Sequence, residues 1–383
     1  MKFTLSEEQQ MIQDMTRKFA KDKLIPIAGE IDKKGEFPTE IVKELGQLGL
    51  MGVYVPFKYG GSEMDVVSYA IAMEEISRGC ASTGVIMSVN NSLVCDPLLN
   101  FANEEQKMKY LKPLASGQKL GCFALTEPNA GTDAISQKTF AVKEGEYYTL
   151  NGSKNFITNA PQADYAIAFA VTDKNPAKKS RGISAFIVDM KSEGVSIGKI
   201  EDKLGIKGSA TASIIFDDVK VHESDLLAEE GMGFKIAMAT LDGGRIGIAA
   251  QALGISRAAL EEAAEYSKDR KQFGQSIASF QAVQFMLADM ATKIEAARLL
   301  IRESAYMKDQ KDPNFGTISA MAKLFAAEAS GFVTNKAIQI FGGYGYTKEY
   351  PVERHLRDAR ITEIYEGTSE VQRMVISRAV LKD

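Results

Sequence analysis

The middle of the chain reads TFAVK (139–143), YYTLNG (147–152), YAIAFAVT (165–172), GISAFIVD (182–189), VSIGKI (195–200) and ASIIFDDVKV (212–221). Short runs rich in β-branched and aromatic residues, with turn residues such as Glu144-Gly145-Glu146 between them, are typical of strands. No helical pattern interrupts the series, so we predict an all-β module over about 119–226. A doubly wound nucleotide-binding fold is disfavoured, because it needs helical crossovers between its strands.

Both flanks of this module have helical patterns. Before it, Ser6 with Gln9 fits a capping box, and the helix that begins there is expected to end at Pro26. After it, apolar residues keep helical spacing over 280–297, and 318–340 is another long apolar-faced stretch. Long helices of this kind predict a bundle. The expected order is therefore helical, β, helical.

The composition disfavours several classes of protein. The 46 basic and 50 acidic residues nearly cancel, so no basic surplus is available for a nucleic acid or an anionic lipid surface. Cys80, Cys95 and Cys122 lack the CxxC spacing, and we expect three buried free thiols. No apolar run reaches the roughly 18 residues that span a bilayer, and the first ten residues lack signal or transit character. We expect a cytoplasmic protein without nucleic-acid partner or membrane insertion.

The chain has only two histidines, His222 and His355, and neither has the spacing of a metal ligand. Serine and cysteine hydrolases need an imidazole beside their nucleophile, and neither a GxSxG elbow nor a P-loop is present. We therefore expect no metal site and no hydrolase chemistry. His355 lies in the charged stretch Arg354–Asp358, where a solvated or interface role is expected.

Three stretches combine polar side chains with glycine. FALTEPNAGTD (123–133) is either a loop that holds a ring edge or a phosphate, or a simple helix-to-strand connection. LDGGR (241–245) places two glycines in a helical run, at about 1 kcal/mol each against alanine, and indicates either close backbone approach or a kink. IYEGTSE (364–370) carries a glutamate on a break between helices, and composition alone favours a solvated loop.

These three stretches, together with FITN (156–159), RKQFG (270–274) and QIFGGYG (339–345), closely resemble the acyl-CoA dehydrogenase family. The six motifs follow the family's order over essentially the whole chain. SVNNSL (88–93) and RITEIYEGTSE (360–370) are similar in particular to the short-chain, butyryl-CoA dehydrogenases.

The resemblance implies an α+β fold with an N-terminal α-helical domain at 1–118, a β-barrel-like middle domain at 119–226 and a C-terminal four-helix bundle at 227–383. It also implies FAD bound between the middle domain and the bundle. The residues implied around the isoalloxazine and pyrophosphate are Phe123, Leu125, Thr126, Gly131, Thr132, Phe156 and Thr158.

Further contacts are implied from other parts of a homotetramer built as a dimer of dimers. A neighbouring subunit is implied to complete the cofactor site through Arg270, Phe273, Gln281, Gln339, Gly342 and Gly343, and the C-terminal segment through Thr368 and Glu370. The acyl-CoA substrate is implied to contact Thr132, Asp242, Arg245, Tyr365 and Gly367.

The resemblance implies that Glu366 is the catalytic base. As Glu366 removes the α-proton, the β-hydride passes to flavin N5 and the trans-2-enoyl-CoA forms; electron-transfer flavoprotein then reoxidises the flavin. The backbone N–H of Glu366 and a ribityl hydroxyl of FAD are implied to polarise the thioester carbonyl. We expect stacking against the flavin and exclusion of water to raise the pKa of Glu366 toward the operating range.

Departures from related patterns narrow the substrate. Isovaleryl- and long-chain-type members carry the base just before the arginine of LDGGR, where this chain has Gly244, so the straight-chain arrangement is favoured. No arginine follows Arg78 ahead of SVNNSL, which disfavours a glutaryl-type dicarboxylate. Asp96 either borders the acyl pocket or has a solvated or helix-terminal role.

Several alternatives stay open at this point. A 2-methyl-branched or cyclic acyl-CoA fits the same glutamate, since one methylene is worth only about 1–3 kcal/mol of discrimination. A non-catalytic flavin- and CoA-binding electron-transfer protein is the alternative of another class, and the presence of Glu366 argues against it. An oxidase that passes electrons to oxygen, and the reverse direction of enoyl-CoA reduction, use the same residues.

Overall fold

The computed structural model describes residues 4–175 and 177–382, which fold as a helical part, a sheet and a second helical part. The first part contains α1 (Glu7–Phe19), α2 (Ile25–Lys34), α3 (Thr39–Gln47), α4 (Val66–Gly79), α5 (Ala81–Ser88), α6 (Asp96–Phe101), α7 (Glu104–Gln106) and α8 (Lys112–Ala115). The predicted order of helical, β and helical parts is confirmed.

Local signals decide where the first helices begin and end. The Ser6 side chain accepts a hydrogen bond from the N–H of Gln9 at 3.1 Å, so the predicted capping box is confirmed. The prediction that Pro26 ends this helix is wrong. A π-helical turn at Ala20–Leu24 joins α1 to α2, and Pro26 lies at the start of α2, where a missing N–H is tolerated. Helix α2 ends at Gly35, whose φ of 66° suits glycine.

The middle part is a sheet of β1 (Gly121–Ala124), β2 (Phe140–Glu144), β3 (Tyr147–Thr158), β4 (Tyr165–Val171), β5 (Ile183–Asp189), β6 (Val195–Ile200), β7 (Thr211–His222) and β8 (Leu226–Leu227). The strands lie in the order β6-β7-β3-β2-β4-β5-β8, and β1 pairs in parallel with β4, with Gly121 opposite Tyr165. All six runs quoted from the sequence form strands. Strands β1 and β8, which are only four and two residues long, were not predicted.

The sheet is apolar on both faces. Phe186 and Phe216 are buried on one face. Phe169 is buried on the other, in a cluster with Leu98 and Leu111 of the N-terminal helical part. The alternation follows from the pleat, because successive side chains of a strand point to opposite faces. One face of the sheet is therefore covered by the N-terminal helices.

The second helical part begins with α9 (Gly233–Asp269), continues through the short hairpin β9 (Lys271–Gln272) and β10 (Gln275–Ser276), and ends with α10 (Gln281–Asp309), α11 (Phe315–Phe341), α12 (Val352–Arg360) and α13 (Ser369–Val380). Helices α9, α10 and α11 pack against one another, and α12 and α13 pack on α11. Helix α4 packs on α9 and α10, so the two helical parts share one apolar core. No described helix combines the length and apolar character that a membrane crossing requires.

The three cysteines are buried and unpaired, as predicted. Burial raises the pKa of each thiol above its ordinary value. A buried thiol of this kind is a small apolar side chain rather than a nucleophile.

Candidate active site

A cavity of about 690 Å³ lies where the sheet meets helix α9 and the segment before α13. Residues that the sequence analysis selected from separate stretches line it: Phe123, Leu125, Thr126, Gly131, Thr132, Phe156, Thr158, Arg245, Tyr365, Glu366, Gly367 and Thr368. Tertiary folding therefore brings the first, second and third polar stretches of the sequence together at one site.

Glu366 lies in a tight turn between the 3₁₀ turn Ile361–Glu363 and α13. Its φ is 51° and that of Gly367 is 91°, so two successive residues adopt the left-handed region. A non-glycine residue there is strained and must be held by its surroundings. The turn directs the side chain at Gly244 in α9, where an added Cβ would collide with Oε2 of Glu366. Of the two interpretations of LDGGR, close approach and a helix kink, the structure supports close approach, here by the Glu366 side chain.

The carboxylate of Glu366 is buried, and its Oε2 makes no hydrogen bond to the residues that the structure describes. Burial raises the pKa of Glu366 to about 7, against the opposing effect of the positive charges of Lys323 and Arg245. A carboxylate that titrates near neutrality beside a cavity is suited to proton transfer. The solvated-loop interpretation of this glutamate is wrong.

Three residues that were not predicted from the sequence, Lys323, Gln372 and Gln251, hold this wall of the cavity. Nζ of Lys323 in α11 donates to the Gly367 carbonyl at 2.6 Å. Nε2 of Gln372 donates to the carbonyls of Gly367 at 2.9 Å and Glu366 at 3.2 Å. The hydroxyl of Tyr365 donates to Gln251 in α9. Arg357 and Arg360, which line the cavity, were not predicted either. Lys323 is the most important residue that was not predicted, and its signal was a charge inside the apolar stretch AMAKLFAA (320–327).

The opposite wall is the loop that follows β1, and a buried lysine holds it too. Nζ of Lys154 in β3 donates to the Leu125 carbonyl at 3.1 Å, to Oε1 of Glu127 at 2.8 Å and to Oε1 of Gln137 at 3.0 Å. The Asn155 N–H adds a hydrogen bond to the Thr126 carbonyl at 2.8 Å. The stretch FALTEPNAGTD is therefore a braced loop and not a simple connection between a helix and a strand.

Polar and aromatic groups on this wall face the cavity. The side-chain hydroxyls of Thr126, Thr132 and Thr158 make no hydrogen bond within the described parts of the chain. Phe156 has a φ of 57° and is 61% exposed, although it is a large apolar residue. The wall offers three hydroxyls and an aromatic surface to a ligand with a polar edge and a flat ring.

The predicted substrate residues Asp242 and Arg245 form an ion pair on α9. Nη1 of Arg245 donates to Oδ1 of Asp242 at 2.6 Å, and Arg245 alone of the two lines the cavity. Burial raises the pKa of Asp242 above its ordinary value, opposed by the positive charge of Arg245. The pair places a cation beside the cavity and Glu366.

Other predicted residues do not line this cavity: Arg270, Phe273, Gln281, Gln339, Gly342, Gly343 and Glu370. Phe273 is 94% exposed at the tip of the β9–β10 hairpin, where its φ is 53°. An added Cβ at Gly342 or Gly343 would meet no described atom within 4 Å. One chain does not bring these residues to its own cavity. The role of the first six in a neighbouring subunit's site and the role of Glu370 in the C-terminal segment stay predictions.

His355 and Asp96 are both buried, contrary to the solvated roles considered for them. Burial and the charges of Arg354 and Arg357 lower the pKa of His355 to about 3, so it is neutral in the fold. Asp96 is the first residue of α6 and accepts from Nζ of Lys308 at 2.7 Å, and it is not among the residues that line the cavity. The described residues contain no cluster of three or more His, Cys, Asp or Glu that could hold a metal ion.

Comparison with known proteins identifies the family. Models of the acyl-CoA dehydrogenase N-terminal, middle and C-terminal domains match residues 6–118, 122–219 and 231–381. The short-chain specific acyl-CoA dehydrogenase of Clostridium acetobutylicum is 53% identical over 382 residues, which is 100% of both chains.

Solved structures agree with this result. The butyryl-CoA dehydrogenase of Megasphaera elsdenii superimposes with a TM-score of 0.98 at 51% identity, covering 100% of both chains. A chain solved in work on the electron transferring flavoprotein of Acidaminococcus fermentans gives a TM-score of 0.98 at 52% identity, again over 100% of both chains. The protein is therefore an oxidoreductase that belongs to the acyl-CoA dehydrogenase family.

Proposed function

We propose that this protein catalyses the FAD-dependent α,β-dehydrogenation of a short-chain, butyryl-CoA-like thioester to the trans-2-enoyl-CoA, with Glu366 as the base. The observation that carries the proposal is the buried carboxylate of Glu366, which lines the cavity without a hydrogen-bond partner for Oε2 among the described residues. Similarity to short-chain and butyryl-CoA dehydrogenases over the whole chain supports the substrate class.

The residues around the cavity fit FAD. The hydroxyls of Thr126, Thr132 and Thr158 have no hydrogen-bond partner in the described chain, and an added Cβ at Gly131 would meet no described atom within 4 Å. These groups, with the side chains of Phe123, Leu125 and Phe156, would hold the cofactor from the sheet side, and Thr368 from the side of α13. When bound, FAD supplies the acceptor for the substrate's β-hydride.

Glu366 performs the proton step. An α-hydrogen of a thioester is a weak acid, so a carboxylate with an unshifted pKa would be a poor base for it, and the raised pKa of Glu366, about 7, improves the match. The backbone N–H of Glu366 donates to no described carbonyl in the chain, and it can polarise the thioester carbonyl as enolate charge develops. One residue thus supplies both the base and a hydrogen-bond donor.

Two groups of residues would hold the CoA portion and the thioester of the substrate. Asp242 and Arg245 would contact the CoA portion, and Thr132, Tyr365 and Gly367 would lie along the thioester. Apolar side chains of Val89, Leu93 and Leu241 line the same cavity and can exclude water from the acyl chain.

The assembly and electron acceptor are part of the same proposal. A homotetramer is supported by the exposed Phe273 and Phe285, which a neighbouring subunit would cover while receiving Arg270, Gln281, Gln339 and Gly342–Gly343 at its cofactor site. Similarity to the chain solved with work on an electron transferring flavoprotein supports that flavoprotein as acceptor. A cytoplasmic location and domain limits of 1–118, 119–226 and 227–383 stay predictions.

An anaerobic absorbance titration of the purified protein with butyryl-CoA tests the function. The flavin band at ~450 nm should bleach in the parent protein and persist over the same time in Glu366→Gln, because only the base is lost. Flavin content and thermal unfolding of the variant serve as controls for folding. A protein without flavin would overturn the proposal, and bleaching only by a branched or cyclic acyl-CoA would replace the substrate.

A further inference from the structure

The carbonyls of the Glu366–Gly367 turn are held by two side chains from different helices. Lys323 reaches the Gly367 carbonyl from α11, and Gln372 reaches both carbonyls from α13. The fit is close, since a Cβ added at Gly367 would lie 2.5 Å from Nε2 of Gln372. Two donors on adjacent carbonyls can hold a turn in which two successive φ angles are positive.

The two donors differ in charge. Gln372 is neutral, whereas Lys323 carries an ammonium group in a fully buried position. No described carboxylate forms an ion pair with Lys323. The acidic groups that act on it electrostatically are Glu366 first, then Glu363 and Glu370, and Arg245 acts in the opposite sense. The largest negative influence on this lysine is therefore the carboxylate next to the cavity.

Other groups also face Glu366. Arg245 approaches it from α9, and Tyr69 in α4 and Tyr365 in the same turn lie within its electrostatic reach. Arg245 already has Asp242 as an ion-pair partner at 2.6 Å. Both tyrosines are neutral at physiological pH, because burial raises their pKa values above the ordinary range. Lys323 is thus the cation near Glu366 whose charge is not already matched by an ion pair among the described residues.

We propose that Lys323 is a positioning residue for Glu366: its ammonium group fixes the Glu366–Gly367 turn through the Gly367 carbonyl and favours the anionic carboxylate that accepts the proton. The inference rests on the proposed function for its meaning, but its test does not depend on turnover. A cation close to a buried carboxylate lowers the free energy of the anion relative to the acid. Without the cation, burial would keep more of Glu366 protonated at neutral pH.

Infrared titration of the flavin-loaded protein measures this effect directly. The C=O band of protonated Glu366 is the band that the parent protein has and Glu366→Gln lacks. Its midpoint should lie near the value of about 7 in the parent protein, and about one pH unit higher in Lys323→Gln. A midpoint in Lys323→Gln equal to that of the parent protein would overturn the proposal.

Three further variants separate charge from structure. Lys154→Gln is the matched control, because it removes the other buried lysine that holds a loop carbonyl; it should leave the Glu366 midpoint in place. Gln372→Leu removes the neutral donor and should not raise the midpoint. Lys323→Met, which leaves no unpaired amide in the buried position, repeats the test should Lys323→Gln fail to fold. An equal rise in Lys154→Gln would also overturn the proposal.

Kinetics add a second reading. With a shift of about one unit, the anionic fraction of Glu366 at pH 7 falls about fivefold, so kcat/KM should fall by that factor at pH 7 and recover at higher pH. A purely structural loss would lower kcat/KM equally at all pH values and contradict the inference. If the parent protein fails to oxidise any acyl-CoA, the proposed function fails while the infrared midpoints still decide the role of Lys323.

Discussion

The two walls of the cavity are each held by a buried lysine, and the lysines differ in what balances their charge. Lys154 in the sheet donates to the Leu125 carbonyl and forms an ion pair with Glu127 at 2.8 Å. Lys323 in α11 donates to the Gly367 carbonyl at 2.6 Å and has no ion-pair partner among the described carboxylates. Burial lowers the pKa of each lysine to about 8.

The difference separates a structural role from a chemical one. The charge of Lys154 is neutralised by its ion pair with Glu127, so this lysine stabilises a loop and has little electrostatic effect on the cavity. The charge of Lys323 is left to act on Glu366, whose own pKa lies near neutrality. The same residue type in the same kind of contact therefore stabilises the sheet side and influences proton transfer on the helical side.

The largest effect on the reaction rate is expected from substitution of Glu366, on the helical side of the cavity. Glu366→Gln should slow flavin bleaching by butyryl-CoA about 10³-fold, since positioned acid–base groups contribute about 10²–10⁴-fold. Anaerobic stopped-flow absorbance measures the rate, with flavin content and Tm as controls. A rate within about tenfold of that of the parent protein would assign the base to another residue. It would also contradict the chemical role given to the helical side of the cavity.

The sheet side should respond in stability. Lys154→Met leaves the Glu127 carboxylate buried without its cation, which should cost about 3–5 kcal/mol of unfolding free energy. Denaturant unfolding measures the loss, and the double change Lys154→Met with Glu127→Gln should recover part of it. A single-variant cost below about 1 kcal/mol would mean that the ion pair does not hold this wall.

The pH dependence of stability tests the raised pKa of Glu366. Burial raises its folded-state pKa from the ordinary 4.5 to about 7, so the unfolded chain releases the proton first as the pH rises. Its contribution to stability is present below 4.5 and is lost as the pH rises through 7. From about pH 4 to about pH 8, the parent protein should lose about 3 kcal/mol relative to Glu366→Gln. Denaturant unfolding of both proteins at the two pH values tests this, and a constant difference would contradict it.

Gly244 tests how closely the helix must approach the turn. A Cβ in Gly244→Ala would collide with Oε2 of Glu366 and lie 2.9 Å from Cδ2 of Leu93, so the carboxylate must move. Because a displacement of about 1 Å can cost about 10²-fold in rate, we expect a fall of that order in kcat with a smaller change in KM. An unchanged kcat, measured with flavin content as control, would show that the turn has room to adjust.

Much of the fold could be predicted from the sequence, because its signals are local. The six strand runs have the composition that a pleated surface selects, and the Ser6–Gln9 capping box needs only four consecutive residues. The end of the first helix could not be predicted from the sequence, because a π-helical turn ahead of Pro26 leaves the proline at a tolerated position. The resemblance also selected Glu366 and a minority of the other residues that line the cavity.

The sequence by itself determined the order of helical and β parts, the family motifs and the identity of the candidate base. Only the tertiary structure decided the state of that base. Gly244 and Glu366 are 122 positions apart in the sequence, and Lys323 and Gly367 are 44 apart. Packing of α9, α11 and the turn before α13 brings each pair together. Burial and a neighbouring charge set a pKa, and both are properties of the assembled site and not of any one stretch of chain.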